Sequence, residues 1–243
     1  MALPNLVVIG AMKCGTTSLH HYLDLHPGIS MSRPKELNFF IGDDDGPGDW
    51  RSGTWCRGTA WYAEHFDPAA PVRGEVSPGY TSPSFPYVAG RMAAVVPGAL
   101  LVYAVRDPIT RAVSQYRHHR RDGTEVRDLE EALLDPASQY VSRGRYFERL
   151  APFLATGAFD GRIRIVAQER LHACRRETMR RLFAALGVDD EFWSADMDER
   201  RNESPDEPPE LSRRLRERLV EAFRDDADRL REFAGEDFPD WSA

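Results

Sequence analysis

The run Leu6-Val7-Val8-Ile9 ends in Gly10, and a second glycine, Gly15, precedes apolar positions with helical spacing at Leu19, Tyr22 and Leu23. The first run predicts a short buried strand and the second a helix. What lies between them limits what the chain can become. The first turn of a helix carries backbone N–H groups with no intrahelical partner, and the helix dipole favours negative charge there. Glycines let the chain turn tightly and let a phosphate approach the backbone. A strand, a glycine loop and a helix N-terminus in this order predict an anion cradle.

The residues inside the loop narrow the anion. A nucleoside-triphosphate loop reads G-x-x-x-x-G-K-S/T, with Lys on the outer phosphates and Ser/Thr on magnesium. Here the frame is Gly10-x-x-x-x-Gly15-Thr16-Thr17, with threonine in the lysine position and the lysine moved back to Lys13. Thr16, Thr17 and Ser18 offer hydroxyls and N–H groups to one phosphate, and Lys13 can reach a second anionic group. The arrangement suits a nucleotide with a short two-centre anion better than Mg-ATP. These residues alone also fit any phosphate binder of this build.

The chain has 243 residues, enough for one α/β domain with a full core, and no linker or internal repeat divides it. No apolar run approaches a membrane span, and the first residues carry neither a basic nor an apolar leader segment. Cys14, Cys56 and Cys174 are an odd set at unrelated spacings, so neither a disulfide framework nor a metal set is expected. A reducing cytoplasm fits this usage. Cys14 has no companion base that would make it a nucleophile. The formal charge of −7 argues against nucleic acid as the main partner. There are only two lysines, Lys13 and Lys35. A compact, mobile point charge distinguishes Lys from Arg at a site, so their placement in the first segment points to function.

Further along, Gly42 to Gly58 is rich in Gly and Asp and predicts a long surface loop, with Trp50 and Trp55 available to cover an acceptor. Its Asp43-Asp44-Asp45 run lacks the alternation of a calcium loop. Helices are expected over Thr59 to Phe66, Phe85 to Val96, Arg175 to Leu186 and Leu211 to Phe233. A further helix opens at Gly144-Arg145-Tyr146, and 125–139 is expected to be irregular. Ala99 to Val105 is a continuous apolar run, as in a central parallel strand. Asp107 is an N-cap and Pro108 the first helical position, so Arg106 ends that strand and Ser114 lies about two turns into the helix. Asp107 also fits a magnesium-binding acid of a kinase. His118 and His119 are adjacent, so they face different directions and do not readily share an ion.

Lys13-Cys14-Gly15-Thr16-Thr17-Ser18 resembles the 5′-phosphosulfate loop of sulfotransferases that use 3′-phosphoadenosine 5′-phosphosulfate (PAPS). Pro34-Lys35-Glu36 with Phe39-Phe40 resembles the segment after that loop in carbohydrate-type and bacterial members. Gly74-Glu75-Val76-Ser77-Pro78-Gly79-Tyr80 is similar to their G-E-x-S/T-P-x-Y stretch. Arg106-Asp107-Pro108 with Arg111 and Ser114 resembles their 3′-phosphate motif. The motifs occur in the family's order across most of the chain.

The resemblance implies a three-layer, P-loop-like α/β domain with a mainly parallel sheet flanked by helices. It implies sulfuryl transfer from PAPS, without a metal, to a hydroxyl or amine of a small-molecule, natural-product or glycan acceptor. Lys13, Cys14, Gly15, Thr16, Thr17 and Ser18 would hold the 5′ side, Arg106 and Ser114 the 3′-phosphate, and Arg201 of a loosely matched 198–209 loop would close over the cofactor. Lys13 would balance charge on the leaving oxygen, Lys35 would point into the site, and Glu75 would face it as the base. A small-molecule kinase with a variant loop, or a non-catalytic nucleotide-binding module, are the alternatives.

Overall fold

Continuous apolar runs too short for helices mark strands covered on both faces. In the computed structural model, which describes residues 1–42, 53–135, 138–199 and 209–243, they form β1 (Leu6–Gly10), β2 (Ile29–Met31), β3 (Val72–Val76), β4 (Leu100–Val105) and β5 (Ile163–Ala167). The sheet order is β2-β3-β1-β4-β5 and each pairing is parallel. The central strands β1 and β4 are buried throughout.

Ten helices are described. They are α1 (Thr16–Asp24), α2 (Gly58–Ala63), α3 (Val88–Val95), α4 (Pro108–Arg121) and α5 (Leu129–Leu134), then α6 (Gln139–Ser142), α7 (Tyr146–Ala155), α8 (Gln168–Ala173), α9 (Arg175–Leu186) and α10 (Arg213–Ala234). The chain leaves β1 toward one edge through α1, then crosses back over β1 from β3 to β4 through α3. With right-handed crossovers, that reversal puts α1 and α3 on opposite faces of the sheet. α9 joins the α1 face, where His26 packs on Phe183 with ring centroids 4.6 Å apart. α3, α7 and α10 pack in series. The α/β class with a mainly parallel sheet is therefore the one observed. Among the described residues no helix is long and apolar enough to cross a membrane.

Three elements differ from the sequence expectation. α3 begins at Val88, because Pro83 and Pro86 hold the preceding residues in turns closed by Phe85 N–H to Ser82 and Val88 N–H to Phe85. α2 stops at Ala63, and 64–66 continue as tighter turns. The stretch 125–139 is not irregular throughout: it holds α5, whose N-cap Asp128 accepts from Glu131 N–H at 2.8 Å. α5, α6 and α10 bury the apolar side of α4 through Ile109, Val113, Leu133, Leu219 and Phe223. This second core fixes the direction in which α4 presents its polar side.

Candidate functional site

In an open parallel sheet, ligands bind beyond the carboxyl ends of the strands, where the chain reverses direction across the sheet. Here that edge gathers the loop after β1, Ser77–Ser82 after β3 and Arg106-Asp107 after β4. Residues 32–41 pass along the same edge, anchored by Ser32 N–H to the Gly74 carbonyl at 2.8 Å and Asn38 N–H to Ser77 Oγ at 3.1 Å.

The loop after β1 has the shape of an anion cradle. Lys13 (φ 70°) and Gly15 (φ 78°) are both left-handed. That conformation is costly for a lysine, and alternation of this kind turns successive N–H groups toward one concavity. Gly15 is the N-cap of α1 and offers no capping side chain, so no side chain caps the start of this helix. A side chain at Gly10 would put its Cβ 2.4 Å from Thr81 Oγ1, so only glycine fits beneath the loop. Thr16 and Ser18 are buried and Thr17 is exposed. The Cys14 thiol points inward, away from the cradle, and burial pushes it up to about 11. Only its backbone can serve a ligand, and a protonated buried thiol is no nucleophile.

α4 supplies a basic stripe. Ser114, Arg117, His118 and Arg121 are spaced i, i+3, i+4 and i+7, on one helix face. Lys13 is held below the usual lysine range first by burial, then by the charges of Arg121, Arg106 and Arg117, with Asp122 opposing. The structure thus brings Arg106, Arg117 and Arg121 within electrostatic reach of Lys13 in a chain of net negative charge. Arg111, between them in sequence, is fully buried and bonds to Gln115 Oε1 and the Tyr140 carbonyl, so it is structural.

Asp107 is committed to holding this geometry. Its Oδ1 accepts from Thr110 N–H at 2.7 Å and Thr110 Oγ1 at 2.6 Å, and its Oδ2 from Ser242 N–H at 2.6 Å. These contacts make it a cap and a brace, and the magnesium role of a kinase loses its residue. His118 and His119 turn to different partners, Asp122 at 3.3 Å and the Tyr140 hydroxyl at 3.0 Å.

The expected base is not at the open edge. Glu75 is wholly buried, and its Oε1 accepts from the Tyr80 hydroxyl at 2.5 Å. An acceptor hydroxyl cannot reach it without moving the core. Phe39 and Phe40 are equally buried and pack in the core, with Phe39 stacked on Tyr62 at 4.1 Å. Trp55 is half-buried against Phe39 and beneath the Arg91 guanidinium. Lys35 is ion-paired with Glu36 Oε1 at 2.5 Å, and Glu36 is 47% exposed. This carboxylate on the edge segment was missed, because an adjacent Lys-Glu pair reads as ordinary surface. Lys35 lies toward α1, close enough to add to the lowering of the His20 pKa that burial causes first. Arg201, its neighbours Arg200 and Asn202, and Trp50 with the aspartate run 43–45 lie outside the described residues.

A family model described as "Sulfotransferase family" matches residues 55–194. The chain belongs to the sulfotransferase family. The match takes in the β3 and Arg106 segments, while the phosphate loop lies ahead of it. The chain is 34% identical over 119 residues to the membrane-associated sulfotransferase kil1 of Dictyostelium discoideum, covering 48% of this chain and 23% of that protein. It is 31% identical over 170 residues to the bifunctional heparan sulfate N-deacetylase/N-sulfotransferase 1 of Caenorhabditis elegans, covering 63% of this chain and 18% of the relative. The chain thus spans about a fifth of the length of these curated relatives. A crystal structure of a sulfotransferase from Alicyclobacillus acidocaldarius superposes over the whole of both chains with a TM-score of 0.81 at 28% identity. The sulfotransferase domain of the Synechococcus olefin synthase shares the fold, with a TM-score of 0.58 at 16% identity and 98% of each chain covered.

Proposed function

We propose that this sulfotransferase uses PAPS and moves its sulfuryl group to a hydroxyl or amine of a glycan or small-molecule acceptor. One observation carries the reading: Lys13, in a left-handed loop at an uncapped helix N-terminus, shares its electrostatic surroundings with Arg106 and the Ser114 stripe. Two anion subsites on adjacent strands fit a nucleotide with phosphates at both ends of its ribose. The heparan sulfate relatives favour a glycan acceptor.

The residues present fit the donor. Backbone N–H groups at 15–18, with Thr16 and Thr17, hold the 5′ side, and Arg106 and Ser114 hold the 3′-phosphate through charge-assisted bonds. PAPS, when bound, supplies the sulfuryl group and a stable bisphosphate leaving group. Lys13 balances the negative charge that builds on the oxygen leaving the sulfur, an electrostatic role that needs no reorganisation. Glu36, reachable and oriented by Lys35, takes the acceptor proton in place of Glu75. Glu75 instead anchors the end of β3 that carries Ser77.

Incubation with 35S-labelled PAPS and a panel of glycan and small-molecule acceptors tests the reading. Labelled product, with tight binding of adenosine 3′,5′-bisphosphate and weak binding of Mg-ATP, is expected. Tighter Mg-ATP binding would restore the kinase alternative. Bisphosphate binding without transfer to any acceptor would favour the non-catalytic module.

A further inference from the structure

The two halves of the donor site stand on different strands, and one hydroxyl joins them. Tyr146 opens α7 and is fully buried. Its hydroxyl donates to the Arg106 carbonyl at 2.7 Å and accepts from Arg106 N–H at 3.3 Å. It also lies 3.5 Å from Cys14 Sγ, inside the phosphate loop. A phenol has one proton and two lone pairs. With the proton committed to Arg106, the thiol is the donor in the third contact, and this outweighs its longer 3.8 Å approach to the Met12 carbonyl. The phenol ring is held by Tyr103 and Trp241, with centroids 5.8 Å and 5.7 Å away. The Trp241 indole N–H reaches Glu169 Oε2 at 3.4 Å, and Glu169 Oε1 takes the Asp107 N–H at 2.8 Å.

We infer that Tyr146 is a positioning residue that sets the span between the 5′-anion loop at Cys14 and the 3′-anion strand end at Arg106, so that the site selects nucleotides carrying both anions. The inference rests on the proposed role of Arg106 at the 3′-phosphate. A ligand with one anion engages one half of the site and does not sense the span. In a bisphosphate the second contact is intramolecular, and its gain depends on how well the two subsites are held at the matching separation. Loosening the hydroxyl link therefore weakens the bisphosphate selectively.

The test is calorimetric titration of adenosine 3′,5′-bisphosphate and of adenosine 5′-monophosphate into wild type, Tyr146→Phe and Arg106→Gln. The ratio of the two affinities measures what the 3′-phosphate contributes. In Tyr146→Phe this ratio should fall about five- to tenfold, with monophosphate affinity unchanged. In Arg106→Gln it should collapse. A wild-type ratio in Tyr146→Phe beside a collapsed one in Arg106→Gln overturns the positioning role and leaves Arg106 in place. Equal weakening of both ligands in Tyr146→Phe also overturns it, leaving a purely structural tyrosine. A wild-type ratio in Arg106→Gln removes the Arg106 reading itself. Should Tyr146→Phe not fold, Cys14→Ala cuts the loop side of the same link, and an unchanged ratio there overturns the inference.

Discussion

Tyr80 donates its hydroxyl to Glu75 Oε1 at 2.5 Å with both side chains shut off from solvent. Burial pushes Glu75 from 4.5 up to about 7, against the opposing pull of that bond. The folded state therefore holds this proton more tightly than the unfolded chain. The stability it lends is fully present below pH 4.5 and is lost as pH rises through 7. That loss is about 3 kcal/mol for this group. Glu75→Gln should remove it. Urea unfolding at pH 5 and pH 8 should show wild type losing more stability than the variant over that interval, and parallel losses would refute the shift.

The same burial separates two carboxylates by function. Glu36→Gln should lower turnover by about 10²–10⁴ while bisphosphate affinity stays within twofold. Glu75→Gln keeps the shape and the Tyr80 contact and should transfer at near the wild-type rate. Steady-state kinetics on both variants decide the matter. A silent Glu36→Gln with a crippled Glu75→Gln would return the base to the core carboxylate, with an opening of the structure needed to expose it.

How much of this was legible in the sequence depends on the range of the interactions. The anion loop, the Asp107 cap and the ends of β4 and α4 are set by residues within a few positions of one another, and the chain folds them as read. The helix α5 was legible too, through the capping pair Asp128 and Glu131, but the polar composition around it obscured the signal. Glu75 was not. Strand alternation says that Glu75 and Gly74 face opposite ways, but the side of Glu75 is closed by Tyr80 of the turn after β3 together with Tyr62, brought in by α2. The stripe of Ser114, Arg117, His118 and Arg121 was present as spacing, yet only the packing of α4 on α10 shows that this side meets Lys13.

Asp107 tests the kinase alternative through stability. Asp107→Ala removes the α4 cap and the brace to Ser242, and should cost about 1–2 kcal/mol in urea unfolding. Asp107→Asn retains an acceptor for Thr110 and should recover most of that loss. Transfer by Asp107→Asn should remain close to wild type and be insensitive to EDTA. Activity that vanished in Asp107→Asn and returned with excess magnesium would make the side chain a metal ligand after all.

Lys13 carries the strongest expectation, because its charge is held in a cationic neighbourhood. Lys13→Ala should lower turnover by about 10²–10³, the usual loss when one preorganised charge stabiliser is deleted. Its pH dependence follows from the same surroundings. Burial, Arg121 and Arg106 lower its pKa, so in the free protein it loses its proton at a lower pH than the ordinary 10.5. A bound anion favours the charged form and pulls the pKa back up, so binding on the alkaline side must take up a proton. Affinity for adenosine 3′,5′-bisphosphate should therefore fall as pH rises toward 10. Titration in buffers of different ionisation enthalpy should reveal the uptake. In Lys13→Arg, whose side chain stays charged throughout, both effects should disappear. Proton uptake that persisted in Lys13→Arg would assign the titration to another group and remove Lys13 from it.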